Sequence, residues 1–215
     1  MATKIPTLDQ LQQYDVNRRG EYEGIRQTLY DSAAYAAAGQ TQLQFFQIPQ
    51  GQSSKTIADT NMKSAGQLPQ PQHFLVESIE IHFFPGVLPV ITDETAVAES
   101  EFTNDMYTVA KSGSLDFFIG SKSYLEEAPL GRFPPKTKME PHFGVHFITA
   151  TTEQVVSMDY AAWVGRPYYL DPPVLLVPNQ NFNVNLNWPT VVALPSGAAG
   201  RIVLVLDGIL YRQSQ

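Results

Sequence analysis

The sequence predicts an all-β sandwich of about eight strands behind an N-terminal helical region, and three observations predict it. Across 173–189, Phe182, Val184, Leu186 and Trp188 alternate with Asn181, Asn183, Asn185 and Asn187, the period of a strand with one buried face and one wet face. The run 202–206 is apolar on both faces, as a strand lying between layers or under a neighbouring subunit would be, and with the first run it reads as a closing pair. No βαβ rhythm is present, and strands followed by strands across long irregular loops point to a sandwich or jelly roll.

The 215 residues suffice for one large β domain with a substantial core. With no cysteine, disulfides, thiolate metal sites and cysteine nucleophiles are excluded, so burial and backbone pairing must hold the fold. The charge of −7, from 14 Lys+Arg against 21 Asp+Glu, argues against a phosphate-neutralising surface and hence against direct nucleic-acid binding. Charged residues make up 16%, below the ~25% usual for soluble domains. A surface of Gln, Asn, Ser and Thr costs less to desolvate, which suits a protein buried among copies of itself. No apolar segment of signal-peptide length follows a basic start, and no run reaches the ~18 apolar residues of a membrane span; the expectation is a chain kept in solution.

Residues 7–37 read as helical. Thr7 is placed to cap a first turn carrying Leu8, Leu11 and Tyr14. After an interruption at 17–20, Tyr22, Ile25, Leu29, Ala33 and Ala37 fall on one helical stripe closed by Gly39. This gives two parts, a helical arm over 1–39 and a β domain over 40–215. The stripe fits a neighbouring subunit or one end of its own barrel equally well.

Residues 43–48 form a short strand, and 49–72 a loop rich in Gln, Ser, Gly and Pro. Loops beyond about 12–15 residues are functional or disordered, and low charge favours an ordered contact arm here. Residues 74–84 alternate as a strong strand ended by Pro85-Gly86, with Glu77 breaking its apolar face. The acidic stretch ending at Asp105 lacks EF-hand spacing and reads as a solvated loop rather than a calcium site. Residues 106–111 and 114–119 flank Ser112-Gly113 as a hairpin, and Tyr124 with Leu125 extends a further strand. Residues 141–150 and 160–170 complete the count, the latter broken by Gly165 and Pro167; Asp207-Gly208 marks a bulge in the last strand.

Chemistry is hard to find. His142 and His146, four apart on a strand, share a face and with His82 could form a three-imidazole metal site of cupin type. The cupin spacing of two histidines two apart is absent, and polar-face strand histidines are the plainer reading. No nucleophile elbow, P-loop or dinucleotide fingerprint occurs, so no catalytic or cofactor-binding residue is assigned. Tyr107, Tyr124, Trp163, Tyr168 and Tyr169 could stack on sugars, but such aromatics more often fill cores and interfaces.

The helical arm, the Phe-x-Ile-Pro of 46–49, the loop holding 59–69 (DTNMKSAGQLP), and the ending Pro-Asn-Gln-x-Phe-x-Val (178–184) then Val-Leu-Asp-Gly (205–208) together resemble jelly-roll virion proteins of bacteriophages. The likeness is greatest to the upright-barrel capsid proteins of tailless phages, and it lies in layout over most of the chain. It implies a single jelly roll and a non-enzymatic capsid protein that self-assembles in the host cytoplasm into a virion shell. Its partners would be copies of itself in trimeric to hexameric capsomers, or a second virion protein sharing them. On this reading Leu8, Leu11, Tyr22, Ile25 and Leu29 of the arm, with Ile57, Met62 and Leu68 of the long loop, are the subunit contacts. The alternative is a receptor- or glycan-binding jelly-roll module of a virion, spike- or lectin-like.

Overall fold

The computed structural model describes residues 22–86, 101–134, 138–147, 154–163 and 166–213. In chain order they form β1 (Tyr22–Tyr35), β2 (Gln42–Phe45), β3 (His73–Phe84), the helix α1 (Glu101–Ser112), β4 (Ser114–Ile119) and β5 (Lys122–Pro129). A 3-10 turn (Leu130–Arg132) follows, then β6 (Lys138–Phe147), β7 (Gln154–Trp163), β8 (Tyr168–Leu176), β9 (Phe182–Asn187) and β10 (Gly200–Gln213). The chain is thus mainly β, with two four-stranded antiparallel sheets ordered β1-β10-β3-β8 and β2-β9-β4-β5 and a separate β6-β7 hairpin.

The pairing is nested. β1 pairs with β10, β2 with β9, β3 with β8 and β4 with β5, so the first half of the chain meets the second half in reverse order. Two further ladders, β10 with β3 and β9 with β4, join these hairpins into sheets.

Strict alternation builds the core between the sheets. Leu115, Phe117 and Ile119 on β4 and Phe182, Val184 and Leu186 on β9 are buried, while the residues between them are part-exposed. From the other sheet come Leu29, Tyr35, Phe74, Val76, Ile79, Phe83, Ile202, Leu204 and Leu206, all in one continuous cluster. The sandwich follows the sequence expectation, as do the bounds of β3 to within a residue; β10 lies inside its sheet between β1 and β3, with Val203 and Val205 part-exposed on its outer face rather than buried between layers.

Four expectations are corrected. Residues 22–35 are a strand, not part of a helical arm, and pair with β10 along their whole length. Their inward face is Leu29, Asp31, Ala33 and Tyr35, with Asp31 and Tyr35 fully buried. A carboxylate and an alanine within that face hide its period of two and leave the helical spacing of the apolar residues to dominate. The earlier part of the predicted arm, with Leu8 and Leu11, lies outside the described residues.

Residues 106–111 belong to α1 rather than to a hairpin strand. Asp105 and Val109, one helical turn apart, are the buried positions among its described side chains, Asp105 accepting from the Ser196 N–H and hydroxyl. The tight hairpin lies one strand later, at Gly120 between β4 and β5, where φ is +61°. The predicted closing pair separates, β9 and β10 lying in opposite sheets, because each run has an apolar face to bury and the interior lies between them. Last, 160–170 is the end of one strand and the start of another.

β8 carries Pro172 and Pro173 and is an edge strand, where a missing N–H breaks no ladder. Its register slips opposite Val76/Ser78, and a second slip at Asp207/Gly208 is the bulge read from the sequence. At Gly208 a Cβ would stand 1.8 Å from the Leu75 carbonyl oxygen, so only glycine permits this approach. Gly208→Ala is expected to cost about 1–3 kcal/mol, read from urea unfolding; an unchanged midpoint would show that the bulge relaxes freely.

His73 is buried beside Tyr22, whose ring meets it edge-on at 5.8 Å. Its Nδ1–H donates to the Pro71 carbonyl, and its buried Nε2 bonds no described group. Burial holds its pKa below the ordinary 6.5, the Pro71 bond opposing in part. The unfolded chain therefore binds a proton that the folded chain refuses. This stabilisation is complete above about pH 6.5 and is lost as pH falls toward the folded pKa. Chemical denaturation at about pH 7 and about pH 5 should show a larger loss in the native chain than in His73→Phe. Equal losses would mean that the folded imidazole takes the proton.

Candidate functional site

The long connection between β2 and β3 is organised by one buried carboxylate. Asp31, 0% exposed on β1, accepts from the Phe46 N–H at 2.6 Å, the Ser32 N–H at 3.0 Å and Lys55 Nζ at 2.6 Å. Phe46, where the chain leaves β2, has φ +68°, a conformation that a bulky residue rarely adopts. It is held there by the bond to Asp31 and by burial of its ring against Phe182.

From this anchor the loop runs along the free edge of β1 and behaves as an extra strand without being one. Asn61 Oδ1 accepts from the Tyr30 N–H, its Nδ2 donates to the Thr28 carbonyl, and its N–H donates to the Tyr30 carbonyl. The Thr60 hydroxyl donates to that same carbonyl and the Tyr30 hydroxyl to the Ile57 carbonyl. An edge that would pair with another chain is thereby covered over residues 28–31.

A second polar knot closes the tip. The Thr56 N–H and hydroxyl both donate to Asp59 Oδ2 at 2.9 Å, and Arg201 lies 3.2 Å from Asp59 Oδ1. Those Thr56 bonds, aided by Arg201, hold the Asp59 carboxyl below the usual carboxylate range. Beside the knot, Thr28, Tyr30, His82, Phe84, Val203 and Val205 line an open groove of about 440 Å³ on the outer face of the first sheet.

The predicted contact residues divide on burial. Leu29, Met62 and Leu68 belong to the chain's own core, Met62 and Leu68 plugging the loop onto the sandwich. Charge at Leu29 would therefore strike the fold itself. Tyr22 and Ile25 on β1 are half-buried, while Ile57 is 67% exposed at the loop tip. The loop was legible as an ordered arm, whereas its anchors Asp31 and Asn61 were not. The signal available was Asp31 set in the alternating run 29–35.

The other candidates remain apart. His82 stacks on Phe84 and lies 3.5 Å from Glu80. His142 and His146 pair opposite Asp159 and Val155 in the β6-β7 hairpin, and their side chains, like that of Trp163, lie outside the described ones. Among the described residues no three His, Asp or Glu side chains converge as a metal site would require. Tyr107, Tyr124 and Tyr169 are exposed on three different elements, each with a cation over its ring. No helix among the described residues is long and apolar enough to cross a membrane. Comparison with protein-family models, curated proteins and solved structures finds nothing that matches the chain.

Asp31→Ala strands Lys55 and two N–H donors, and the expected cost is about 3–5 kcal/mol by urea unfolding. Should that variant not fold, Lys55→Met provides the milder test, with faster limited proteolysis within residues 46–72. Native cleavage rates in Lys55→Met would show that the pair does not hold the loop.

Proposed function

We propose that this chain is a structural protein of a virion, a single jelly roll that assembles with copies of itself into a phage shell. The observation that carries the reading is the strand order. Counted without the β6-β7 hairpin, eight strands pair as four nested hairpins wound across two sheets, β1-β10-β3-β8 facing β2-β9-β4-β5. We read that order as the path of a jelly roll, an architecture that viral capsids share with lectins and cupins.

The surface favours the first of these. A loop of more than twenty residues that is pinned by Asp31 and Asn61, rather than left to move, has been given a fixed shape at the cost of its chain entropy. Fixed loops and sheet faces are what shell subunits use to meet one another. The pinned loop also holds Ile48 and Ile57 out to solvent, apolar side chains suited to a protein contact. Low charge makes such contacts cheap to desolvate. In this reading the contacts are made with copies of the chain, or with a second virion protein that shares its capsomers.

Light scattering on the purified full chain, with negative-stain images of the same fraction, is expected to show trimers to hexamers or closed particles. Ile57→Asp should shift that distribution toward monomer without moving the thermal midpoint. A native chain that stays monomeric at every concentration would overturn the proposal.

A further inference from the structure

We propose that the outer face of the β2-β9-β4 ladder is a self-association surface, on which the same face of a second copy packs about a two-fold axis. This inference rests on the assembly reading and names the surface used. Asparagine is a poor strand former. Burial of Phe182, Val184 and Leu186 asks only that the residues between them be polar, a role threonine fills with better propensity. Amides at Asn183, Asn185 and Asn187 therefore call for a hydrogen-bonding reason.

Register sets these amides in rows across three strands. Asn187 stands between Gln42 and Ser114, and Asn185 between Gln44 and Asp116. Gln42 Nε2 donates to Asn187 Oδ1 at 2.9 Å, and Asn187 Nδ2 donates to Asp116 Oδ2 at 2.7 Å. Asn183 Nδ2 makes a longer bond to Asn185 Oδ1 at 3.4 Å. These bonds orient the row without using it up: the Gln44 amide, Asn185 Nδ2 and Asn183 Oδ1 bond no described side chain. Open donors and open acceptors thus stand side by side on one flat face.

Such a face complements itself. An amide both donates and accepts, so a two-fold rotation sets donor against acceptor. The electrostatics select the same partner. Two copies of a chain carrying −7 repel, yet on these three strands Asp116 is the only ionisable residue pointing outward. Its carboxylate already accepts from Asn187 Nδ2 and from the Glu127 N–H at 2.6 Å. Here copies bring together one hydrogen-bonded carboxylate each, set among neutral amides. Phe118 is the one aromatic facing out from these strands, so a stacking platform for a sugar is not built.

The lack of native cysteine makes the test direct. Under mild oxidation, Gln44→Cys or Asn185→Cys is expected to give disulfide-linked dimers at several times the yield of Val191→Cys, which is exposed in the loop between β9 and β10. Gln44→Glu should raise the dissociation constant about 100-fold by setting like charges across the dyad, with its urea midpoint unchanged. Cross-linking no better than Val191→Cys, with Gln44→Glu assembling as the native chain does, overturns this surface and leaves the assembly reading standing. A monomeric native chain overturns both. A monomer that binds dextran, with the binding lost in Gln44→Glu, assigns the face to neutral polysaccharide and overturns the self-association.

Discussion

One buried carboxylate governs how this molecule presents itself. Asp31 occupies an inward position of β1 where an aliphatic residue would fill space at no electrostatic cost. Its charge is met by Lys55 and two backbone N–H groups, and each of these partners fixes a different piece of chain. Through Phe46 it sets the direction in which the chain leaves β2. Through Lys55 it pulls the long loop against the sheet, and the loop in turn covers the edge of β1. Such an arrangement contributes specificity more than stability: a hydrophobic replacement could fill the cavity, but it could not choose the path of the loop.

The sandwich itself depends on a simpler constraint. Two sheets share one apolar interior, and their inward residues come from strands distant in sequence, so the nested pairing carries the fold in place of any local motif. Irregularities sit where they disturb least. The prolines of β8 lie on an edge, and the slip at Gly208 lies where only a hydrogen can pass the Leu75 carbonyl.

What could be read from the sequence was the part whose pattern is local and chemically clean. The Asn/apolar alternation of β9, the run of β3 and the bulge at Asp207-Gly208 each announce themselves within a few residues. β1 did not, because its buried face includes Asp31 and Ala33 and its composition favours a helix. α1 was misread because its buried positions include Asp105, so the short run 106–111 looked like a strand. That β9 and β10 part into different sheets depends on which strands come between them, which no local spacing records. The loop was recognisable by length and low charge, but Met62 and Leu68 face inward for a reason set by Asp31 and Asn61, and those partners become neighbours only after folding.

The nesting also sets a timetable. β10 is the strand that joins β1 to β3, and those two do not pair with each other. While the chain is being synthesised, β3 can find β8 and β4 can find β5, yet β1 has no ladder until Gly200–Gln213 emerges. Contacts this distant in sequence are slow to form, because loop closure must precede any gain from pairing. The edge that the long loop covers is therefore completed late, and a nascent chain has no finished surface to offer another. Topology alone thus places completion of that edge after synthesis of the last strand.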